Sequence, residues 1–289
     1  MQHASLITLT EVTNNNRAAT MREKGWAYYN AKSGGQKDDT GICWDTDVWK
    51  RKSGKVVRMS SNSFDRVTGL HNLYIWSSMV VLVHKNSGLK LLVSATHFPA
   101  HIEGKGGFKT TGEGWMARKR AYMTALTNWS THVKDMERKQ HLDASLLVAD
   151  WNLNLKQKWV QDMLHNHFGK GYYQAWTDFP TSGESMGNPH PAPPNGEGTG
   201  PGDHIIDGAI YHGLKITDGP NLMSRVRSSD HRPFNESFRF KAAGEKNDDD
   251  TKSKGNTYHG KEWWGFGDYL DDEIYDLTRA TGDAGGEVL

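Results

Sequence analysis

The sequence predicts a sheet-rich α/β protein of the α+β kind. Three observations predict it: short apolar runs recur along the first 240 residues, a well-marked hairpin turn joins two of them, and only a few stretches carry apolar residues at helical spacing. Residues 5–10 read as a buried strand, and 14–24 as a helix that starts in an Asn-rich cap and closes at Gly25. Strands are expected at 26–29 and 41–44. Ser53-Gly54 is expected to turn the chain between further strands at 48–51 and 56–59. The clearest hairpin joins 73–84 to 89–96 through Asn86-Ser87-Gly88, whose glycine suits the positive φ of a tight turn. A polar, Gly-rich and Lys-bearing loop at 100–113 leads into the longest helix, 114–139, with Met116, Tyr122, Met123, Leu126, Trp129 and Val133 at helical spacing. A short buried strand at 145–149 runs into Asp150-Trp151-Asn152, and 156–168 forms a second amphipathic helix. After 172–176 comes a Pro- and Gly-crowded stretch, 178–202, of the length that functional loops have. Residues 205–211 and 234–240 supply the last two clear strands.

Composition bounds the class. The 289 residues are 36% hydrophobic and 24% charged, which places the chain among globular proteins. The longest aliphatic run, 79–83, is far short of the roughly 20 apolar residues a membrane span requires. No basic-then-apolar leader opens the sequence, so a cytoplasmic setting without membrane association is expected. A single cysteine, Cys43, excludes an intrachain disulfide framework and a Cys-based zinc site; between Ile42 and Trp44 it reads as a core residue.

The net charge of +1 conceals an asymmetry. Residues 1–240 carry 29 Lys and Arg against 22 Asp and Glu, whereas 241–289 carry 6 against 12. A basic body favours a polyanionic partner, although a surplus of this size also serves solubility. The expected organisation is a domain over 1–240, a polar linker over 241–260, and an acidic, aromatic-rich tail over 261–289. That tail, with Trp263, Trp264, Phe266 and Tyr269 among its carboxylates, reads either as a docking peptide for a protein partner or as a short helix packed on its own body.

Five places put charged or hydrogen-bonding side chains at the ends of apolar runs, where α/β folds build sites. They are Glu11, His97, the pair Asp150 and Asn152, Asp207, and Asp230-His231. Each alone has an ordinary explanation, since an Asp after a strand commonly caps or turns the chain. Together their oxygens suit a hard divalent cation, Mg²⁺ or Mn²⁺, and nothing proposes zinc. Asp207 beside His231 would add an oriented, more basic imidazole able to take a proton from water. Asp203-His204 forms a second Asp-His pair; alternation along a strand ranks it below Asp207.

In order and spacing, the motifs LTEV, THFP, ADWN, IIDGAIY and SDHRP resemble the endonuclease/exonuclease/phosphatase superfamily over about residues 5–240. RKRAYMTAL in the long helix resembles the Arg-rich helix that follows the family's His-bearing strand. The resemblance implies the DNase I-like four-layered α/β sandwich, two packed and mostly antiparallel sheets flanked by helices. It implies that Glu11 binds the metal, that Asp230 is a further metal or phosphate-site residue, and that Asp150 and Asn152 position the attacking water and the scissile phosphate. His97 would contact or protonate a phosphate or leaving oxygen, with His231, held by Asp207, as general base or transition-state stabiliser. Family members also carry an Asn- or Asp-bearing strand ahead of LTEV. Too few residues precede that motif here to supply such a strand, so this first motif is expected to be missing.

The reaction so implied is divalent-metal-dependent hydrolysis of phosphodiester bonds in nucleic acid, DNA ahead of RNA, with Lys105, Lys109, Arg118 and Arg120 as substrate-binding cations. A solvated helix face is the competing explanation for those four. The alternatives are a phosphomonoesterase or phospholipid or inositol phosphatase on the same fold, and a catalytically impaired binding module. Asn152 is followed by Leu153-Asn154-Leu155 rather than by the Tyr-Arg of the inositol phosphatases, which argues against that branch.

Overall fold

The computed structural model describes residues 4–10, 25–29, 40–60, 75–100, 102–104, 107–108, 115–175, 205–222 and 234–245. Its centre is a six-stranded sheet built from β4 (Trp49–Arg58), β5 (Trp76–His84), β6 (Lys90–His97), β9 (Ala144–Asp150), β10 (Tyr172–Gln174) and β11 (Asp207–His212), in the order β10-β11-β9-β6-β5-β4. All neighbours are antiparallel except β6 and β9, which run parallel. A parallel pair needs a long crossover, and the helix α1 (Trp115–Gln140) makes it. A second helix, α2 (Lys158–Phe168), covers the same face.

Both faces of this sheet are buried. Met79, Val81, Leu92 and Leu147 pack against Tyr122, Leu126, Trp129 and Val133 of α1 and Val160 and Leu164 of α2. Val80, Leu82, Val93, Leu146 and Tyr211 point the other way and meet a second layer of strands. That layer holds β1 (Leu6–Leu9), β3 (Gly41–Asp45) and β2 (Trp26–Tyr29) as one antiparallel sheet, and β12 (Leu214–Leu222) with β13 (Phe234–Phe240) as another. Ile42, Trp44, Leu214, Ile216, Phe238 and Phe240 are its inward side chains. A two-residue pair, β7 (Glu103–Gly104) with β8 (Gly107–Phe108), lies in the loop before α1. The architecture is thus the mixed α/β sandwich expected. The helix expected at 14–24, the loop at 178–202, and the chain beyond Glu245 lie outside the described residues. Cys43 is buried, and burial pushes its thiol up to about 12.

One expectation is corrected, and one strand is added. Ser53-Gly54 makes no turn: the chain continues through it as one ten-residue strand paired with β5, and a bulge between Arg51 and Ser53 takes up the irregularity. Gly54 is required for space instead, because a Cβ there would sit 2.9 Å from the Tyr29 ring. The sequence pattern predicts no strand between 211 and 234, so β12 is an addition; it pairs with β13 through two register shifts, the second of which takes up Gly219-Pro220.

Candidate active site

Three of the expected residues share one row of the central sheet. His97 closes β6, Asp150 closes β9 and Asp207 opens β11; His97 is the register partner of Asp150, which is the register partner of Asp207. Side chains in one row of a sheet share a face. Here it is the face of Val93, Ala95, Leu146, Ala209 and Tyr211, so the apolar inter-sheet core ends in a polar edge made of these three. Asp150 is 1% exposed, Asp207 8%, and the His97 side chain 20%.

The contacts fix the row. His97 Nε2 lies 3.3 Å from Asp150 Oδ2. The other oxygen, Oδ1, accepts the backbone N–H of Asn152 at 3.0 Å. Asp150 therefore performs the local turn-forming role and still presents its second oxygen to the imidazole. Asn152 adopts φ +49°, in the left-handed region that Asn tolerates better than most residues. Its Nδ2 donates to Phe98 O at 2.8 Å, tying the loop after β9 to the loop after β6.

Trp151 anchors this turn from below. It is fully buried, donates Nε1–H to Gly208 O at 3.1 Å, stacks on Phe98 with ring centroids 5.4 Å apart, and accepts the Tyr122 hydroxyl on its carbonyl at 3.0 Å. Burial, then the charges of Asp150 and Glu103, hold the Tyr122 phenol well above its ordinary pKa, so it remains a proton donor in this bond. Glu103 continues the brace: it accepts Asn154 N–H at 3.0 Å and Gln157 Nε2 at 2.6 Å. Asn154 Oδ1 in turn accepts Lys156 N–H at 3.1 Å.

Of the expected substrate-binding cations, Arg118 donates Nη1–H to Ala100 O at 2.8 Å and so braces the loop that follows His97, while Arg120 is exposed on α1. Glu11, Lys105, Lys109, Asp203, His204, Asp230 and His231 lie outside the described residues. Among the described residues, no three His, Cys, Asp or Glu side chains converge closely enough to enclose a metal ion. The donors present do suit a hard cation: Asp150 and Asp207 are adjacent buried carboxylates on one face, oxygen ligands whose repulsion a cation relieves.

Sequence reasoning missed four residues. Glu103 and Tyr122 brace the Asp-Trp-Asn turn, and nothing local marks either of them. Arg58 pairs in register with Trp76, which precedes Ser77; Ser77 pairs with Thr96, the residue before His97. The site end of β4 is therefore basic. The fourth is Glu236, on the inward-facing alternation of Phe238 and Phe240, whose Oε1 is sealed from water without a hydrogen-bond partner. Burial pushes its carboxyl up to about 8.

No protein-family model matches the chain, and no curated protein matches it. Solved structures do. The human Nocturnin catalytic domain superposes with a TM-score of 0.55 at 14% identity, over 82% of this chain and 81% of that one. A mannosyl-6-phosphatase of Bacteroides thetaiotaomicron gives 0.55 at 15% identity, over 82% and 85%. D. rerio TDP2, in complex with a single-strand DNA product, gives 0.54 at 13% identity, over 81% and 86%. An endonuclease/exonuclease/phosphatase family protein of B. thetaiotaomicron is similar at 0.52 and 16% identity. The chain has their fold, the DNase I-like α/β sandwich that the motif order implied.

Proposed function

We propose that this chain is a divalent-metal-dependent phosphodiesterase that hydrolyses nucleic acid, DNA ahead of RNA, by in-line attack of water. The observation that carries the reading is the row His97, Asp150, Asp207, with the imidazole 3.3 Å from a carboxylate that is itself almost wholly buried. A sealed carboxylate held in one orientation is the group that aligns a water and accepts its proton. In this reading Asp150 does so, and the Asn152 amide, fixed by Phe98 O, donates to a phosphoryl oxygen. His97 donates a proton toward the leaving oxygen, its ring oriented by Asp150. Asp207 orients His231 as the second base or charge stabiliser. Glu11 and Asp230 are the proposed holders of Mg²⁺ or Mn²⁺, which when bound would supply a Lewis acid at the phosphoryl oxygens.

The catalytic domain is proposed to span 1–240, with 241–260 as linker and 261–289 as a partner-docking tail, so removing 246–289 should leave hydrolysis standing. The mannosyl-6-phosphatase on this fold keeps a phosphomonoesterase as the second reading. One experiment separates them. The purified chain is incubated with supercoiled plasmid, single-stranded DNA, RNA, bis-p-nitrophenyl phosphate and p-nitrophenyl phosphate, with Mg²⁺, Mn²⁺ or EDTA, alongside Asp150→Ala and His231→Ala. Metal-dependent cleavage of diesters, lost in both variants, is the expected result. Turnover of the monoester alone moves the assignment to a phosphatase, and no turnover of any of these substrates by the folded parent overturns both.

A further inference from the structure

Strand β4 is the last strand of the central sheet, and its composition is unusual for its position. Lys50, Arg51, Lys52, Lys55 and Arg58 place five cations in nine residues, and no acidic residue occurs from Val48 through Phe64. Lys50, Arg51, Lys52 and Arg58 are exposed, and Lys55 is half-buried. The register with β5 divides them: Lys50 and Lys55 lie opposite Val83 and Met79 on the helix-bearing face, Arg51 and Arg58 opposite Leu82 and Trp76 on the other, and Lys52 sits at the bulge. The C-terminal turn of α1 adds Arg138 and Lys139, both of them paired to Asp135.

Lysines and a bulge on a sheet edge commonly serve to prevent edge-to-edge pairing. Lys55 stands apart from the rest: burial holds its ammonium below the ordinary pKa, while Asp135 pulls it up and Lys139 down.

A second feature adjoins this edge. Beside Arg51 the sheet opens into a groove of about 470 Å³ lined by Trp26, Tyr28, Trp44 and Thr46. The Arg51 guanidinium stands 5.5 Å from the Tyr29 ring centroid, a cation–π contact that fixes it at the groove's rim. A run of cations tracking a phosphate backbone, with aromatic rings beside it for the bases, is the combination that holds a single strand of nucleic acid without regard to sequence. A duplex, its bases stacked inside, would use the cations and leave the rings idle.

We propose that the β4 edge and the adjoining aromatic groove bind single-stranded nucleic acid, along a track whose Arg58 end is the site end of the sheet. The surface extends the nucleic-acid reading of the catalytic row, yet it is testable apart from it. Binding of 5′-fluorescein-labelled dT20 is followed by anisotropy in EDTA, over a series of salt concentrations, and compared with a 20-base-pair duplex. Three proteins accompany the parent: Arg51→Gln/Lys52→Gln/Arg58→Gln, the cations on the groove's face and at the bulge; Trp26→Ala; and a control that loses the same charge elsewhere, Lys158→Gln/Lys170→Gln/Lys215→Gln.

The edge triple is expected to weaken dT20 binding at least tenfold and to lower the salt slope by about 2, at roughly 0.7 for each phosphate no longer neutralised. Trp26→Ala is expected to weaken it about fivefold or more with the slope unchanged, as removal of one stacked base predicts. Tyr28→Ala repeats that test should Trp26→Ala fold poorly. Equal weakening by the edge and control triples would overturn the proposal. So would a parent that holds duplex as tightly as dT20 with aromatic variants unaffected, or a parent that hydrolyses diesters yet does not bind dT20 at all.

Discussion

His97 Nε2 and Asp150 Oδ2 stand 3.3 Å apart as register partners on two parallel strands, and Asp207 stands across from Asp150 on its other side. One buried carboxylate thus has an imidazole on one flank and a second carboxylate on the other. The imidazole offsets one negative charge when protonated, and two carboxylates on one face leave a demand for positive charge that a divalent cation satisfies.

The first prediction follows from that imbalance. Asp150→Asn keeps an oxygen to accept the Asn152 N–H and removes one of the two adjacent charges. Hydrolysis of bis-p-nitrophenyl phosphate should fall by about 10²–10⁴, the range expected for loss of a positioned base. In EDTA the variant should melt no lower than the parent. Added Mg²⁺ should raise the parent's Tm, as any ligand of the native state does, and raise the variant's less, because the variant brings one negative charge fewer to the cation. A variant that melts well below the parent in EDTA would show that the carboxylate is structural rather than catalytic.

Asn152 separates positioning from folding. Its φ of +49° costs a non-glycine residue something, while its amide ties the turn to Phe98 O. Asn152→Gly relieves the first and loses the second, so stability should stay within about 1 kcal/mol of the parent. Catalysis should still fall by about 10² or more, because glycine supplies no donor to the phosphoryl oxygen. Equal kcat in the two proteins would remove Asn152 from the mechanism.

Much of this site was legible in the sequence because strand ends are. The apolar runs before His97 and Asp150, and around Asp207, announce where each residue leaves its strand, and the order of the motifs supplies the fold. What aligns the three residues is register, a property of pairs of strands far apart in sequence, and no local pattern encodes it. The same reason hides the brace of Glu103 and Tyr122. β4 was misread for a different cause: Gly54 resembles a turn glycine, and only the Tyr29 ring over it shows that it serves close approach. β12 was overlooked because bulges admit Asp-Gly-Pro into a strand, where propensity alone forbids it.

At the far end of the sheet Glu137 gathers three donors. Ser145 Oγ at 2.6 Å, Tyr172 Oη at 2.5 Å and His212 Nδ1 at 3.2 Å all point to its carboxylate, and His212 stacks on Tyr172. Burial alone would raise this carboxyl; the bonds from His212, Ser145 and Tyr172 outweigh it and hold the group below its ordinary 4.5. A depressed folded pKa contributes stability that is present above the unfolded value and is lost as pH falls through the folded one. Glu137→Gln should therefore cost about 1–3 kcal/mol at pH 7, the range for hydrogen bonds to a charged group. The gap between the two proteins should narrow as pH drops below about 4.5. Denaturant melts at pH 7 and at pH 3 measure both; a constant gap would show that the carboxylate's charge contributes nothing.

Glu236 runs the opposite way. Although the residue as a whole keeps some exposure, its Oε1 has none and no partner, and burial pushes the carboxyl up to about 8. Between pH 4.5 and 8 the unfolded chain has lost this proton while the folded protein still holds it. The native state then binds more protons than the unfolded state, and stability falls as pH rises through that window. Glu236→Gln is neutral at every pH and fills the same space, so it should stabilise the protein at pH 7–8 and leave it nearly unchanged at pH 4. The carboxyl lies on the inward-facing alternation of β13, two residues after Phe234, the start of the strand that follows the SDHRP motif. Parallel thermal melts from pH 4 to 9 test this prediction. A variant that melts lower than the parent at pH 8 would mean that Glu236 is ionised and paired in the native protein, the reverse of what its sealed, partnerless oxygen requires.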